Sequence, residues 1–332
     1  MKAIQAIQAI QFLALGSLAL APAVVAQSVQ LDPKLPAYAP VSGVSGTIKA
    51  AGSNTLSFVM GKWTEGFRKI YPDVKAEAEA KGSATAPPAL IAGQVAFGAM
   101  SRAMKPDEID QFEKTFGYKP TAVSTCIDAL AVFVHKDNPL KGLSFQQIDA
   151  IFSKTRKGGA AKEIRTWGEL GLTGDWADKP ISLYGRDAAS GTYAYFKEHP
   201  LFNGDFRDDV KEMPGSSNVV DSIANDRYAM GYSGIGFKSA GVRAVPITLK
   251  DGQPFVEPMA EKVYSGDYPI SRFLFLYVNQ KPGTELDPLR KEFLRYVLSK
   301  QGQADVVQSG FFPLTADLAL KNVKAVDASS PK

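Results

Sequence analysis

Between Gly46 and Phe116 the hydrophobic pattern keeps switching between strand-like and helix-like spacing, and no other feature limits the fold as tightly. Gly46 to Ala51 reads as a short strand, followed by the polar loop Ser53 to Thr55. Leu56, Val59, Met60, Trp63, Phe67, Ile70 and Tyr71 then recur at helical spacing, so a long helix buries one apolar stripe. Val74 to Ala80 alternates apolar and charged residues, as a strand with one wet face does. Pro87 and Pro88 suit the first turn of a helix that stops at Gly93. Val95 to Met100 is a third, buried strand, and the acids Asp107 and Glu108 open another helix where its dipole favours them. Strands and helices that alternate in this way form an open α/β sheet with parallel strands. Ligands of such sheets gather at the carboxyl ends of the strands. Three polar loops fall at those ends here: Ser53 to Thr55, Gly82 to Thr85, and Ser101-Arg102.

The second half of the chain has its own alternation. Residues 121–135 form a β-type run longer than one strand needs, long enough to cross between two domains, and Asp128 interrupts it. A carboxylate there is either at an exposed point or paired with something specific, because an unpaired buried charge is costly. Ser144 and Gln147 form a capping box for a helix through Phe152. Gly215 to Asn218 precedes a helix over Val219 to Tyr228, and a Gly-rich strand follows. Pro269 to Asn279 is a second long apolar strand and a natural return crossing, and residues 287–320 are expected to be helical and to pack back on the first half. Residues 27–45 read as an extended lead-in, and residues 325–332 as a frayed tail.

Ile181 to Tyr184 reads as a strand and Thr192 to Lys197 as the opening of a helix, with Arg186 and a Gly-bearing loop between them. Ser190 is a natural N-cap, and Gly191 lets the backbone approach a ligand. N–H groups at a helix start, beside the forked guanidinium of Arg186, suit a tetrahedral oxyanion or a carboxylate. Plain capping over water is the alternative for this loop taken alone.

At 332 residues the chain is long enough for two domains, and 45% hydrophobic with 22% charged residues places it among globular proteins. A formal charge of +4 without any Lys/Arg run argues against nucleic acid as a partner. Residues 1–26 have the form of a secretory signal: Lys2, the apolar segment Phe12 to Pro22, and small residues before a cut after Ala26. No other segment is apolar and long enough to cross a membrane, so the mature protein is expected to work outside the cytoplasm. Cys126 is the single cysteine, expected as a buried thiol. His135 and His199 are the only histidines and stand in no metal-ligand spacing, so no metal or cofactor is expected. Gly231 to Gly236 approaches the hydrolase elbow and misses it by one position, which leaves an enzyme unsupported.

Five motifs in order carry a resemblance along nearly the whole mature length: Ala51 to Leu56, Gly82-Ser83, Met100 to Lys105, Gly185 to Thr192, and Gly231 to Gly236. Through them the chain resembles the periplasmic phosphate-binding proteins of ABC-type phosphate (Pst) transporters. The resemblance implies an α/β fold of the two-lobed periplasmic-binding-protein kind (type II, a Venus flytrap). Each lobe would be an open, mostly parallel sheet with helices on both faces, and two hinge strands would join them. It implies a signal peptide over residues 1–26, a first lobe from residues 27–128 and 269–332, and a second from residues 129–268.

The function implied is capture of inorganic phosphate and its delivery to the permease subunits of an ABC transporter, by a periplasmic or secreted monomer that is no enzyme. Carried over by position, Thr55 and Leu56 would donate from the first loop, Ser83 from the second, and Arg186, Ser190, Gly191 and Thr192 from the second lobe. Family members commonly place an Asp at the end of the third strand to accept the proton of phosphate; this chain has Ser101 there, followed by Arg102. Where many place an Asp two residues after the binding Arg, it has Ala188, with Asp187 one residue early. Sulfate carries no proton near neutral pH, so a carboxylate acceptor would separate the two anions. Asp128 is the candidate acceptor, with pairing at a strand edge as the alternative; Arg102 either touches the ligand or pairs with Asp107 or Glu108. The competing functions are binding of another oxyanion such as sulfate or molybdate, an exported phosphatase, or a surface adhesion protein.

Overall fold

A computed structural model describes residues 29–327, and the expected signal segment 1–26 lies outside them. Strand β1 (Gly46–Gly52) leads into helix α1 (Asn54–Ile70), followed by β2 (Val74–Glu79), α2 (Ala86–Ile91), β3 (Phe97–Met100) and α3 (Pro106–Phe116). The long strand β4 (Thr121–His135) is followed by β5 (Leu143–Ser144), α4 (Phe145–Phe152), β6 (Ser182–Arg186), α5 (Gly191–Glu198), β7 (Lys211–Met213) and α6 (Ser216–Asn225). Then come β8 (Ala229–Gly234), β9 (Val242–Ala244), β10 (Ile247–Thr248), α7 (Ala260–Tyr264), β11 (Ser271–Val278), α8 (Pro288–Val297), α9 (Lys300–Gln308) and α10 (Ala316–Asp327).

The main sheet runs β2-β1-β3-β11-β4-β8-β6-β7, with β9 also paired to β4. β1 is parallel to β2 and β3, β6 is parallel to β7 and β8, and the strands between these two groups are antiparallel. β4 joins the groups: residues Thr121 to Ala129 pair with β11, and Leu130 to Val134 pair with β8. Each parallel group therefore ends its strands toward the same central region, where α1, α5 and α6 begin.

The α1 stripe packs as its spacing requires: Leu56, Val59, Met60, Trp63 and Phe67 are all buried, and the Trp63 indole donates to Gly302 O at 2.8 Å. Cys126 is buried in β4, where desolvation raises its thiol pKa. Among the described residues no group of three His, Cys, Asp or Glu could hold a metal, and no helix is long and apolar enough to cross a membrane.

Three local expectations need correction. β2 does not have one wet face: every residue after Val74 is exposed, because it is the outermost strand and borders an open groove of about 840 Å³ beside α2. α6 starts at Ser216, not Val219, and ends before Tyr228. Its start is set from outside the helix, by Asn54 Oδ1 accepting from Ser216 N at 2.8 Å, and Asp226 turns the chain by accepting from Tyr228 N. Residues 287–320 are not one helical stretch. Gly310, at φ +77°, ends α9, and Phe312 then exchanges two backbone hydrogen bonds of 2.9 Å with Ile127 of β4 before α10 begins.

Candidate functional site

The loop after β1 turns through Gly52, whose φ of +133° and position over Ala99 O leave no room for a side chain. Ser53 N donates to that same carbonyl at 2.8 Å, and Ser53 Oγ caps α1 by accepting from Leu56 N. This places Thr55 at the start of α1, buried, with its Oγ1 2.9 Å from Thr192 Oγ1 at the start of α5. From the next loop, Ser83 Oγ accepts from Ser101 N at 3.0 Å and lies 3.2 Å from Ser101 Oγ. Ala84 N donates to Ala189 O at 3.1 Å, so the loop before α2 touches the loop before α5 directly.

The facing loop is shaped by its own polar residues. Asp187 Oδ1 accepts from Ala189 N and Ser190 N, and Ser190 Oγ accepts from Thr192 N and Tyr193 N. Asp187 thus folds the loop and does not hold Arg186. Gly191 sits between the two Ser/Thr pairs. A Cβ there would lie 2.3 Å from Ser83 Oγ and 2.6 Å from Ser101 Oγ. Arg186, buried at the end of β6, donates from Nε to Met213 O, from Nη1 to Ser216 Oγ at 2.8 Å, and from Nη2 to Pro214 O. Among the described residues these partners are a hydroxyl and two carbonyls. Burial lowers its pKa, opposed by the charge of Asp187. A buried guanidinium that, among the described residues, is hydrogen-bonded to no carboxylate favours an anion beside it.

Of the two residues left with alternatives, both are paired with protein groups. Asp128 is fully buried, and its Oδ2 accepts from Arg272 Nη2 at 2.9 Å and Nε at 3.2 Å while its Oδ1 accepts from Ile235 N. Its carboxylate therefore reaches Gly191 and Thr192 only through a guanidinium. Arg102 forks onto Glu108 at 2.6 and 2.7 Å and onto Ala103 O; the pair is largely buried, not a surface one.

The structure adds Arg272, Asn54 and Ser216 to the cluster. Arg272 Nη1 donates to Gly191 O and Nη2 to Thr192 Oγ1 at 2.8 Å. Its signal is in the sequence: like Asp128, it is a charge inside a long apolar strand, and the two are register partners. Asn54 and Ser216 join α1 to the start of α6. Neither carries a local signal beyond lying next to a helix start. The starts of α1 and α5 thus meet at Thr55 and Thr192 with Arg272 bonded to Thr192, Ser83 and Ser101 lie against Gly191, and Asn54 ties α1 to the start of α6 that Arg186 holds, a concentration of donors that suits an oxyanion.

Residues 37–301 match the model of the PBP superfamily domain. The chain is 52% identical over 294 residues to the phosphate-binding protein PstS of Pseudomonas aeruginosa, covering 89% of this chain and 91% of that one. It is 29% identical over 298 residues to the phosphate-binding protein PstS of Staphylococcus haemolyticus, covering 87% and 89% respectively. Among solved structures, a protein of Clostridium perfringens described as a phosphate ABC transporter substrate-binding protein, crystallised with bound phosphate, superposes with a TM-score of 0.68 at 26% identity. That match covers 81% of this chain and all of the other.

Proposed function

This chain belongs to the PBP superfamily, in the family of the phosphate-binding PstS proteins, and from that premise we propose that it captures inorganic phosphate outside the cytoplasm and delivers it to an ABC permease. The observation that carries this reading is the contact of Thr55 at the start of α1 with Thr192 at the start of α5, beside the Ser83–Ser101 pair, with α6 and the buried Arg186 tied to α1 through Ser216 and Asn54. Charge-assisted hydrogen bonds contribute about 1.5 to 3 kcal/mol each, so a few of them hold a small anion at micromolar concentration or below. Residues 27–128 with 269–332 act as one lobe and residues 129–268 as the other. β11, which pairs with β3 of the first group, and β4, which pairs with β8 of the second, form the hinge between them. Gly191 contributes its backbone N–H, Leu56 N and Ser190 N hold the loops before α1 and α5 in shape through Ser53 Oγ and Asp187 Oδ1, and Arg102 supports the loop after β3 through Glu108. The protein binds and releases its ligand unchanged, in the periplasm, as a monomer.

One observation favours a second anion as ligand: among the described residues no carboxylate is hydrogen-bonded to the four hydroxyls, and Asp128 is taken up by Arg272. Equilibrium titration of ligand-stripped protein with phosphate, sulfate, arsenate and molybdate tests both readings. Tight binding of phosphate with weak sulfate competition is expected, and sulfate or molybdate binding more tightly than phosphate would overturn the first.

A further inference from the structure

The arginines that donate to backbone carbonyls fall into two groups. Arg102, Arg156, Arg207, Arg272 and Arg290 each also pair with a carboxylate, from Glu108, Glu163, Asp209, Asp128 and Asp287 in that order. Arg186 and Arg243 make no ion pair among the described residues. Arg186 belongs to the oxyanion site. Arg243 stands elsewhere, on β9, as the register partner of Val134 near the end of β4.

Arg243 Nε donates to Asn138 O at 2.7 Å and Nη2 donates to Leu140 O, which fixes the plane of the guanidinium. Nη1 has no hydrogen-bond partner among the described residues. Burial lowers the pKa of Arg243, opposed by the charge of Glu257. Beside it Asn138 is buried: its Oδ1 accepts from Leu140 N at 2.9 Å, and its Nδ2 finds no acceptor among the described residues. A buried donor left in this way is costly, so the structure holds polar groups here that its own residues do not satisfy.

Arg243 and Asn138 line a groove of about 710 Å³, to which Lys141 and Lys238 add two exposed ammonium groups. Neither lysine is in an ion pair among the described residues, and Glu257 is the one acid on the lining, against three cations. Two other grooves are different. In the one beside α2, Lys49 and Lys81 are paired with Glu77 and Glu79. In a groove of about 570 Å³ that Tyr193 also lines, Lys154 and Arg207 are paired with Asp208 and Asp209.

Unneutralised charge in a concave site gathers anions, and a fixed guanidinium fork suits carboxylate or phosphate oxygens. The groove has the size of a small-molecule site, and its cations come from three separate segments, after β4, after β8 and on β9. A ligand with several anionic groups therefore matches it better than one orthophosphate.

We propose that this groove is a second anion site, sharing no residue with the phosphate site, and that it takes a small molecule carrying several carboxylate or phosphate groups. Arg243 is its fixed donor, and Lys141 and Lys238 are its outer charges.

The test is calorimetric titration of the protein with citrate and with tripolyphosphate, under saturating orthophosphate so that the central site stays filled. Salt is kept at about 0.15 M, where the field of scattered surface charges is screened. At least one of the two anions is expected to bind at one site per chain; binding of citrate assigns the carboxylate class, and binding of tripolyphosphate the condensed phosphates. Lys141→Gln with Lys238→Gln is expected to weaken that anion about tenfold or more, with orthophosphate affinity kept. Arg243→Gln is expected to do the same, and the exposed lysine pair keeps the test valid should Arg243→Gln fold poorly. Lys49→Gln with Lys81→Gln removes the same charge from the groove beside α2 and is expected to change nothing. Failure of both anions to bind the wild type, or an equal loss in the two double-lysine variants, would overturn the proposal.

Discussion

Asp128 and Arg272 face each other as register partners on the antiparallel strands β4 and β11, with 2.9 Å between Oδ2 and Nη2 and both side chains buried. The pair stands where β4 passes from one strand group to the other, and the same guanidinium holds Gly191 and Thr192 at the start of α5. Removing one member leaves an unpaired buried charge. Asp128→Ala is therefore expected to lower unfolding free energy by about 3 to 5 kcal/mol, measured by urea titration of ligand-free protein. Removing both charges as Asp128→Leu with Arg272→Met should cost clearly less; an equal loss in the double variant would show that the coupling is not electrostatic.

Gly191 lies where the two sides touch. Its replacement by Ala puts a Cβ 2.3 Å from Ser83 Oγ and 2.6 Å from Ser101 Oγ, so the loop before α5 must withdraw. Overpacking of this kind costs about 1 to 3 kcal/mol, which corresponds to a loss of phosphate affinity of about 5- to 150-fold. Titration calorimetry reads it, and unchanged affinity would mean the observed contact is not kept in the bound state.

Arg186 reaches Met213 O, Pro214 O and Ser216 Oγ through three separate nitrogens. A lysine ammonium cannot span that fork. Arg186→Lys is expected to weaken phosphate by about tenfold or more, although charge is conserved. Wild-type affinity in this variant would reduce Arg186 to a point charge.

Asn54 closes the gap between α1 and α6 by accepting from Ser216 N at 2.8 Å. Asn54→Ala removes one hydrogen bond, worth about 0.5 to 1.5 kcal/mol. Phosphate affinity should fall by about 2- to 10-fold, mainly through faster dissociation, which stopped-flow release can follow.

Asp149, buried on α4, accepts from Gly158 N at 2.6 Å, and desolvation holds its carboxyl above the ordinary value of 3.8. The folded state then binds this proton more tightly than the unfolded state. Its contribution to stability falls as pH rises above 3.8 and levels off beyond the raised folded value. Urea unfolding across that range should show the wild type losing stability relative to Asp149→Asn, and parallel curves would assign the carboxyl an unshifted pKa.

Local chemistry suffices for much of this protein. The spacing of Leu56, Val59, Trp63 and Phe67 specifies α1, the Ser190-Gly191 pair specifies the start of α5, and the motif order identifies the family, because each depends on residues close in sequence. The role of Asp128 is not legible in that way. Its neighbours in sequence are apolar, and its partner Arg272 lies 144 residues away. Only strand register brings the two together, and only then does the carboxylate change from a candidate acceptor to the anchor of a guanidinium. The same holds for α6, whose first turn is set by Asn54 from another strand group, and for Phe312, which breaks an otherwise helical pattern to bridge Ile127. Periodicity and caps are local properties that a chain carries in its sequence, whereas a buried charge takes its meaning from whichever group folding places against it.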